Sequence, residues 1–178
     1  MNRRNMSPLS QFRSEKNAYF GNDSASPLTD GQRERFNGLS YFDEAPQFAL
    51  RLTPSLVENT TEIEIPLSTG GVTSTHRWAT VIVEIGGKQE TLTVFREDEY
   101  APLFLPFRDG TAGDETHAVG RYLEVHPLED GNLWLDFNYA YNPFCAYNDN
   151  WACPIPPPEN RIAAPIRAGE RSYLDPEH

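Results

Sequence analysis

Residues 77–95 read RWATVIVEI-GG-KQETLTVF, and this stretch decides the fold. Arg77 to Ile85 is β-branched and apolar on both faces, which predicts a central strand. Gly86–Gly87 is a two-residue hairpin signal, because paired glycines accept the positive φ angles that a tight turn between twisted strands demands. The returning segment alternates, with Leu92 and Val94 predicted inward and Thr91 and Thr93 outward.

Working upstream, Phe48, Leu50 and Leu52 alternate with Ala49 and Arg51, and Ile63, Ile65 and Leu67 alternate with Glu62 and Glu64, predicting two half-buried strands. Downstream, PLFLPF carries proline at its start and near its end, as an edge strand tolerates. The loop RDGTAGDETHA leads to a strand over Val119–His126, and the turn PLEDGN to a strand over Asn132–Tyr139. Seven strands joined by short turns predict a mainly β chain, an antiparallel β-barrel or two-sheet sandwich. No helical pattern separates the strands, which excludes parallel β-α-β architecture.

The helical signals lie at the N-terminal end. Ser7 is a natural N-cap with Pro8 at the first helical position, and Leu9, Phe12, Lys16 and Tyr19–Phe20 share a face over residues 7–20. A second short helix is predicted in TDGQRERFNGL, capped by Thr29 or Asp30 and ended by Gly38. Beyond Tyr139, five prolines between Pro143 and Pro158 forbid an interior strand. A proline-rich C-terminal coil is expected to wrap the sheet, anchored by Phe144, Tyr147, Trp151 and Ile155. The organisation read from this is a helical arm over residues 1–40 packed on one mainly β domain over 41–178.

The chain of 178 residues carries 15 basic and 26 acidic side chains, a net charge of −11, which repels nucleic-acid phosphates. The acids are spread along the chain as a solubilising surface. Apolar runs are too short for a membrane span, and no apolar core follows the basic N-terminus, so no secretory signal is read and a cytoplasmic location is expected. In that compartment Cys145 and Cys153 are expected as free thiols. Their spacing fits neither redox nor zinc motifs, and no metal site is predicted. No cofactor and no oligomeric state can be read.

The segments LFLPFRDGTAGDETHAVGRYLEV, LDFNYAYNPFCAYNDNWACPIPPPENR and IRAGER, with the opening SPLTDGQRERFNGLSYF, resemble the bacterial and archaeal family called domain of unknown function 1684. His117 stands where that family has tyrosine. The resemblance implies that these segments form one unit, and it implies no activity.

Six residues are candidates for a ligand site: Glu115, Arg121, Asp136, Asn138, Asn142 and Cys145. Alternation places Arg121 on the face of Val119, Leu123 and Val125, where a buried guanidinium requires a carboxylate such as Glu115, Asp109 or Asp136. It is read as an anion-binding group at a pocket mouth or as a salt bridge fixing the 109–116 loop, the second being favoured. Glu115 is a candidate general acid, base or ligand in that loop, whereas Asp109 and Thr111 suit turn chemistry. Asp136 and Asn138 face away from Leu133, Leu135 and Phe137, and with Asn142 they would touch a ligand or hold the coil. Cys145 is a candidate nucleophile only if His117 activates it, and an inert buried thiol is the stronger account. Catalytic residues remain unknown. The function predicted is binding of a small polar or anionic molecule near Arg121, with or without catalysis. The alternative is a structural or protein-interaction module in which the same residues brace the coil.

Overall fold

The computed structural model describes residues 6–58 and 60–174. Its centre is an eight-stranded antiparallel sheet curled into a half-barrel. The strands are β1 (Ala49–Leu52), β2 (Ser55–Leu56), β3 (Glu62–Pro66), β4 (Val72–Ile85), β5 (Lys88–Arg96), β6 (Leu103–Phe107), β7 (Arg121–Pro127) and β8 (Leu133–Asp136). Their order is β1-β8-β7-β6-β5-β4-β2, with β3 sharing the β2 side of β4. The β4–β5 hairpin runs from His76↔Arg96 to Ile85↔Lys88. Gly86 and Gly87 make its turn with φ of 58° and 77°, the double positive φ that other residues resist.

Curling is imposed by connectivity. The strands β1 and β2 stand at opposite ends of the sheet, yet only Thr53 and Pro54 join them. In a flat sheet, six inter-strand steps would separate them by roughly 29 Å. Three Cα steps from Leu52 to Ser55 reach at most about 11 Å. The sheet therefore bends until its two ends approach.

Inward-facing Val81, Val83, Leu92, Val94, Leu105, Leu123, Val125, Leu133 and Leu135 form the core. Ile162, Ile166 and Ala168 from the C-terminal segment belong to the same cluster, so the tail is a component of the core. Removing these side chains from water stabilises by roughly 1.5–3 kcal/mol for each large one. A second cluster packs Phe20 and Leu28 against Ala146 and Tyr147, tying the N-terminal helices to that tail. Helix α1 (Pro8–Asn22) starts at Ser7, whose hydroxyl accepts from the Ser10 N–H, and α2 (Asp30–Arg35) starts with a capping box between Thr29 and Gln32.

Several expectations are corrected. The strand PLFLPF lies inside the sheet, between β5 and β7. Its second proline is tolerated because β5 and β6 share only the pair Phe95↔Phe104, and Asn160 from the tail fills the gap beyond it. Asn160 donates to the carbonyls of Thr93 and Pro106, both at 2.8 Å, and accepts from the Thr93 N–H at 2.7 Å. The same contacts bury Thr93, which alternation placed outward. Ile82, by contrast, is exposed, so β4 is not apolar-covered on both faces. The short strand β2 escaped the sequence reading, making eight strands where seven were expected. The second helix stops at Arg35, before Gly38. Strand β7 begins at Arg121 and not at Val119, while β8 ends at Asp136, with Phe137–Tyr139 turning as a 3-10 helix.

Candidate functional site

Arg121 opens β7 and points into the core, as alternation requires, and its side chain is fully buried. Nη1 donates to the carbonyls of Ala168 and Glu170, and Nη2 donates to the Ile166 carbonyl at 2.8 Å and to Asp109 Oδ1 at 3.3 Å. The guanidinium also lies 5.2 Å from the centroid of the Phe107 ring. Burial lowers its pKa from the usual value, and the neighbouring Asp109 charge opposes that shift. Arg121 Nε is buried without a hydrogen-bond partner, whereas Asp109 accepts from the Thr111 N–H and hydroxyl and from the Ile166 N–H at 2.6 Å. The turn chemistry read for Asp109 and Thr111 is present, but Asp109 is also the carboxylate that pairs Arg121.

The other candidates fall into separate places. Glu115 is at the surface, bound to Arg167 at 2.8 Å. Asp136 does not meet Arg121, because it lines the outer face of the sheet with Glu124 while Arg121 points into the core. Asp136 lies opposite Ala49 of β1 and accepts from the Asn138 backbone N–H at 3.0 Å. Asn138 is buried and exchanges two hydrogen bonds with the Ala45 backbone, at 2.7 and 3.0 Å. The Asn142 N–H donates to Glu170 Oε2 at 2.8 Å, and the Asn142 side chain donates to the Arg171 carbonyl. Glu170 is buried too, holding the Tyr147 hydroxyl at 2.8 Å and the Lys16 ammonium at 2.5 Å. Burial, and then Glu170, raises the pKa of Tyr147 well above its usual value. Cys145 sits beside Cys153. His117 does not figure among the groups that set its thiol pKa.

A groove of about 430 Å³ opens on the opposite face of the sheet. Its floor is Glu124 and His126 of β7 with Trp134 and Asp136 of β8, and its walls are Phe12 of α1, Tyr139 and Tyr141. A second hollow of about 270 Å³ continues from Glu124 and Tyr141 toward β3 and β6. The groove is aromatic and negative. Burial first, then Asp136 and Glu44, raises the pKa of Tyr139, while Tyr141 is pushed up to about 12 by burial, Glu124 and Glu170. Two cations stand beside it: Lys16 holds Glu170 and lies 4.9 Å from the centroid of the Tyr141 ring, and Arg13, which donates to the Phe42 carbonyl and lies over the Tyr41 ring, partly offsets the rise in the Tyr139 pKa. Of the sequence candidates only Asp136 lines this groove. Glu124, Trp134 and His126 carried a signal as the outward positions of their strands, whereas the arrival of Phe12 from α1 had none.

A curled antiparallel half-barrel closed by its own C-terminal segment is the class of protein these observations define. The chain belongs to the family described as protein of unknown function (DUF1684), which it matches over residues 34–171. It is similar to the solution NMR structure of an uncharacterized protein from Haloarcula marismortui, with 38% identity and a TM-score of 0.72, over 96% of this chain and 94% of that one. No curated protein matches it. Among the described residues no helix is long and apolar enough to cross a membrane, and no group of three or more His, Cys, Asp or Glu side chains is arranged to hold a metal.

Proposed function

We propose that this domain is a non-catalytic binding module that holds a small organic cation in the groove between α1 and the outer face of β7 and β8. The observation that carries this reading is the lining itself: Phe12, Trp134, Tyr139 and Tyr141 with the carboxylates of Glu124 and Asp136, completed by Leu123 and His126, and no lysine or arginine. Aromatic faces attract cations through their quadrupole, and two carboxylates supply the countercharge. The net charge of −11 draws cations toward the protein as well. An anion at Arg121 is the weaker reading, since it would have to displace three backbone carbonyls and Asp109 from a buried guanidinium. Arg121, Asn138 and Asn142 act as braces for the chain segments around them, the role given to them in the structural alternative.

Each exposed cation–π contact contributes about 0.5–1 kcal/mol. Several, with two carboxylates, bring a quaternary ammonium to a Kd near 1 mM, roughly 4 kcal/mol. The test is a ¹H–¹⁵N chemical-shift titration with choline, methyl glucoside and acetate in parallel. Choline is expected to move the Trp134 indole and the amides of Tyr139 and Tyr141, and Trp134→Ala to weaken it by about two- to fivefold. Trp134 is 37% exposed, so the substitution spares the core. Equal response to methyl glucoside, or a choline response indifferent to Trp134→Ala, refutes the cation reading. Saturable acetate shifts around Arg121 would restore the anion site.

A further inference from the structure

Cys145 and Cys153 are eight positions apart and fold back onto each other. The Cys145 N–H donates to Cys153 Sγ at 3.3 Å. Both are thiols, Cys145 half-buried and Cys153 7% exposed. The chain between them is fixed to the sheet at its Cys153 end. The Cys153 N–H donates to Ser68 Oγ at 3.1 Å, and its carbonyl accepts from the Ser68 N–H at 2.9 Å. Ile155 N–H reaches the Pro66 carbonyl at 2.8 Å, so residues 153–155 extend the sheet alongside the end of β3. Within the loop the rings of Phe144 and Trp151 meet edge to face, with centroids 5.0 Å apart. The two sulfurs are thus held together by the fold, without the search that a flexible nine-residue loop would require.

The two sulfurs also differ in character. Interaction with the Cys145 thiol first, and then backbone N–H donors including that of Cys145, lower the pKa of Cys153, while Cys153 pushes that of Cys145 upward. A thiolate next to a protonated thiol is the arrangement of an attacking sulfur beside a resolving one. The cation groove plays no part in this argument, and Cys145 and Cys153 do not line it.

We propose that Cys145 and Cys153 form a reversible two-electron oxidation site, which closes a disulfide when a small hydroperoxide reaches it. The Cys153 thiolate attacks one peroxide oxygen, the O–O bond breaks, and hydroxide leaves after protonation as water, giving a sulfenic acid on Cys153. Cys145 then attacks that sulfur. The S–S bond forms, the S–O bond breaks, and the second oxygen leaves as water with the Cys145 proton. Two thiols and one hydrogen peroxide thus become one disulfide and two waters, and a dithiol reductant reverses the change by exchange.

The test treats the full chain at neutral pH with one equivalent of hydrogen peroxide, followed by alkylation with N-ethylmaleimide and intact mass. The expected result is a monomer lighter by two hydrogens, with both thiols lost together and both recovered with dithiothreitol. Cys145→Ser is expected to stop at a sulfenic acid on Cys153 that dimedone captures, whereas Cys153→Ser leaves Cys145 unoxidised over the same interval. A wild-type chain that keeps two alkylatable thiols, or that forms disulfides only between chains, overturns the proposal. Dimedone capture on Cys145 in Cys153→Ser as fast as on Cys153 in Cys145→Ser overturns the assignment of the attacking sulfur. The wild-type measurement decides the main claim even if a variant fails to fold.

Discussion

Replacing Arg121 with methionine keeps most of the bulk and removes the charge and every donor. In the native protein the Ala168 and Glu170 carbonyls accept from Nη1, and Asp109 faces Nη2 at 3.3 Å. The Ile166 carbonyl keeps a second donor, the Ala168 N–H at 3.0 Å, and Asp109 keeps Thr111 and the Ile166 N–H. The loss therefore falls on two buried carbonyls, at about 1–3 kcal/mol each, and on a buried carboxylate deprived of its cation. Breaking a buried ion pair by removing one partner costs about 3–5 kcal/mol, which agrees with that range. For a chain of this length the midpoint of thermal unfolding should fall by on the order of 10 °C. Urea titration followed by tryptophan fluorescence measures the free energy, and amide exchange locates it: protection should drop first over residues 166–171. Arg121→Lys should recover only part of the loss, because an ammonium cannot span carbonyls and carboxylate as a planar fork does. A destabilisation below about 1 kcal/mol, the usual size of a surface change, would refute the view that Arg121 holds the tail in the core.

Gly169→Ala should cost about 2–4 kcal/mol, because the residue has φ of 77° and a Cβ would stand 2.6 Å from the Ala140 carbonyl oxygen. Gly131→Ala, at φ of 83° with open space around it, should cost only about 1 kcal/mol, and thermal unfolding of the pair separates crowding from backbone strain. Asn160→Ala should cost about 3 kcal/mol and expose the Thr93 amide to exchange, since it strips partners from Thr93 and Pro106. Tyr122 and Tyr147 are buried with pKa values raised by burial first, so both stay protonated in the folded chain above the pH where they ionise unfolded. The unfolded state then binds fewer protons, so their stabilisation is complete below pH 10 and is lost as pH rises above it, at about 2.7 kcal/mol per pH unit for the two. Tyr41, Tyr139 and Tyr141 are raised as well and add to the total, so Tyr122→Phe should reduce the slope measured in alkaline urea titrations by about 1.4 kcal/mol per pH unit.

The legible parts of the fold were those fixed by neighbours in sequence. Gly86–Gly87 between β-branched runs specifies a hairpin locally, and Ser7–Pro8 specifies a helix start. The unread parts depend on residues far along the chain. The role of Pro106 turned on Asn160, 54 positions later, which supplies the side-chain amide that replaces a strand partner. Asp109 showed its local turn bonds plainly, but its second bond goes to Ile166, 57 positions away. Arg121 was correctly placed on the inner face by alternation, and its partner Asp109 was one of three carboxylates named for it, since alternation fixes a direction and leaves the choice among nearby acids open. Asp136 failed because its side chain belongs to the outer face of the sheet and that of Arg121 to the inner one, so closeness in the hairpin does not bring them together. The groove combines two strands, a helix and a turn, and no single stretch of sequence announces such a meeting.

A half-barrel whose interior is finished by Ile162, Ile166 and Ala168 has a consequence for its birth on the ribosome. Synthesis proceeds from the N-terminus at about 5–20 residues per second. The strands emerge first and can pair, but their concave apolar surface stays open to water until residues 162–170 have been added. Arg121 and Asp109, already synthesised, wait for the last three carbonyls that will receive that arginine. A message cut short before this point yields a chain with every strand and no lid, which displays the greasy lining of a trough to chaperones and proteases.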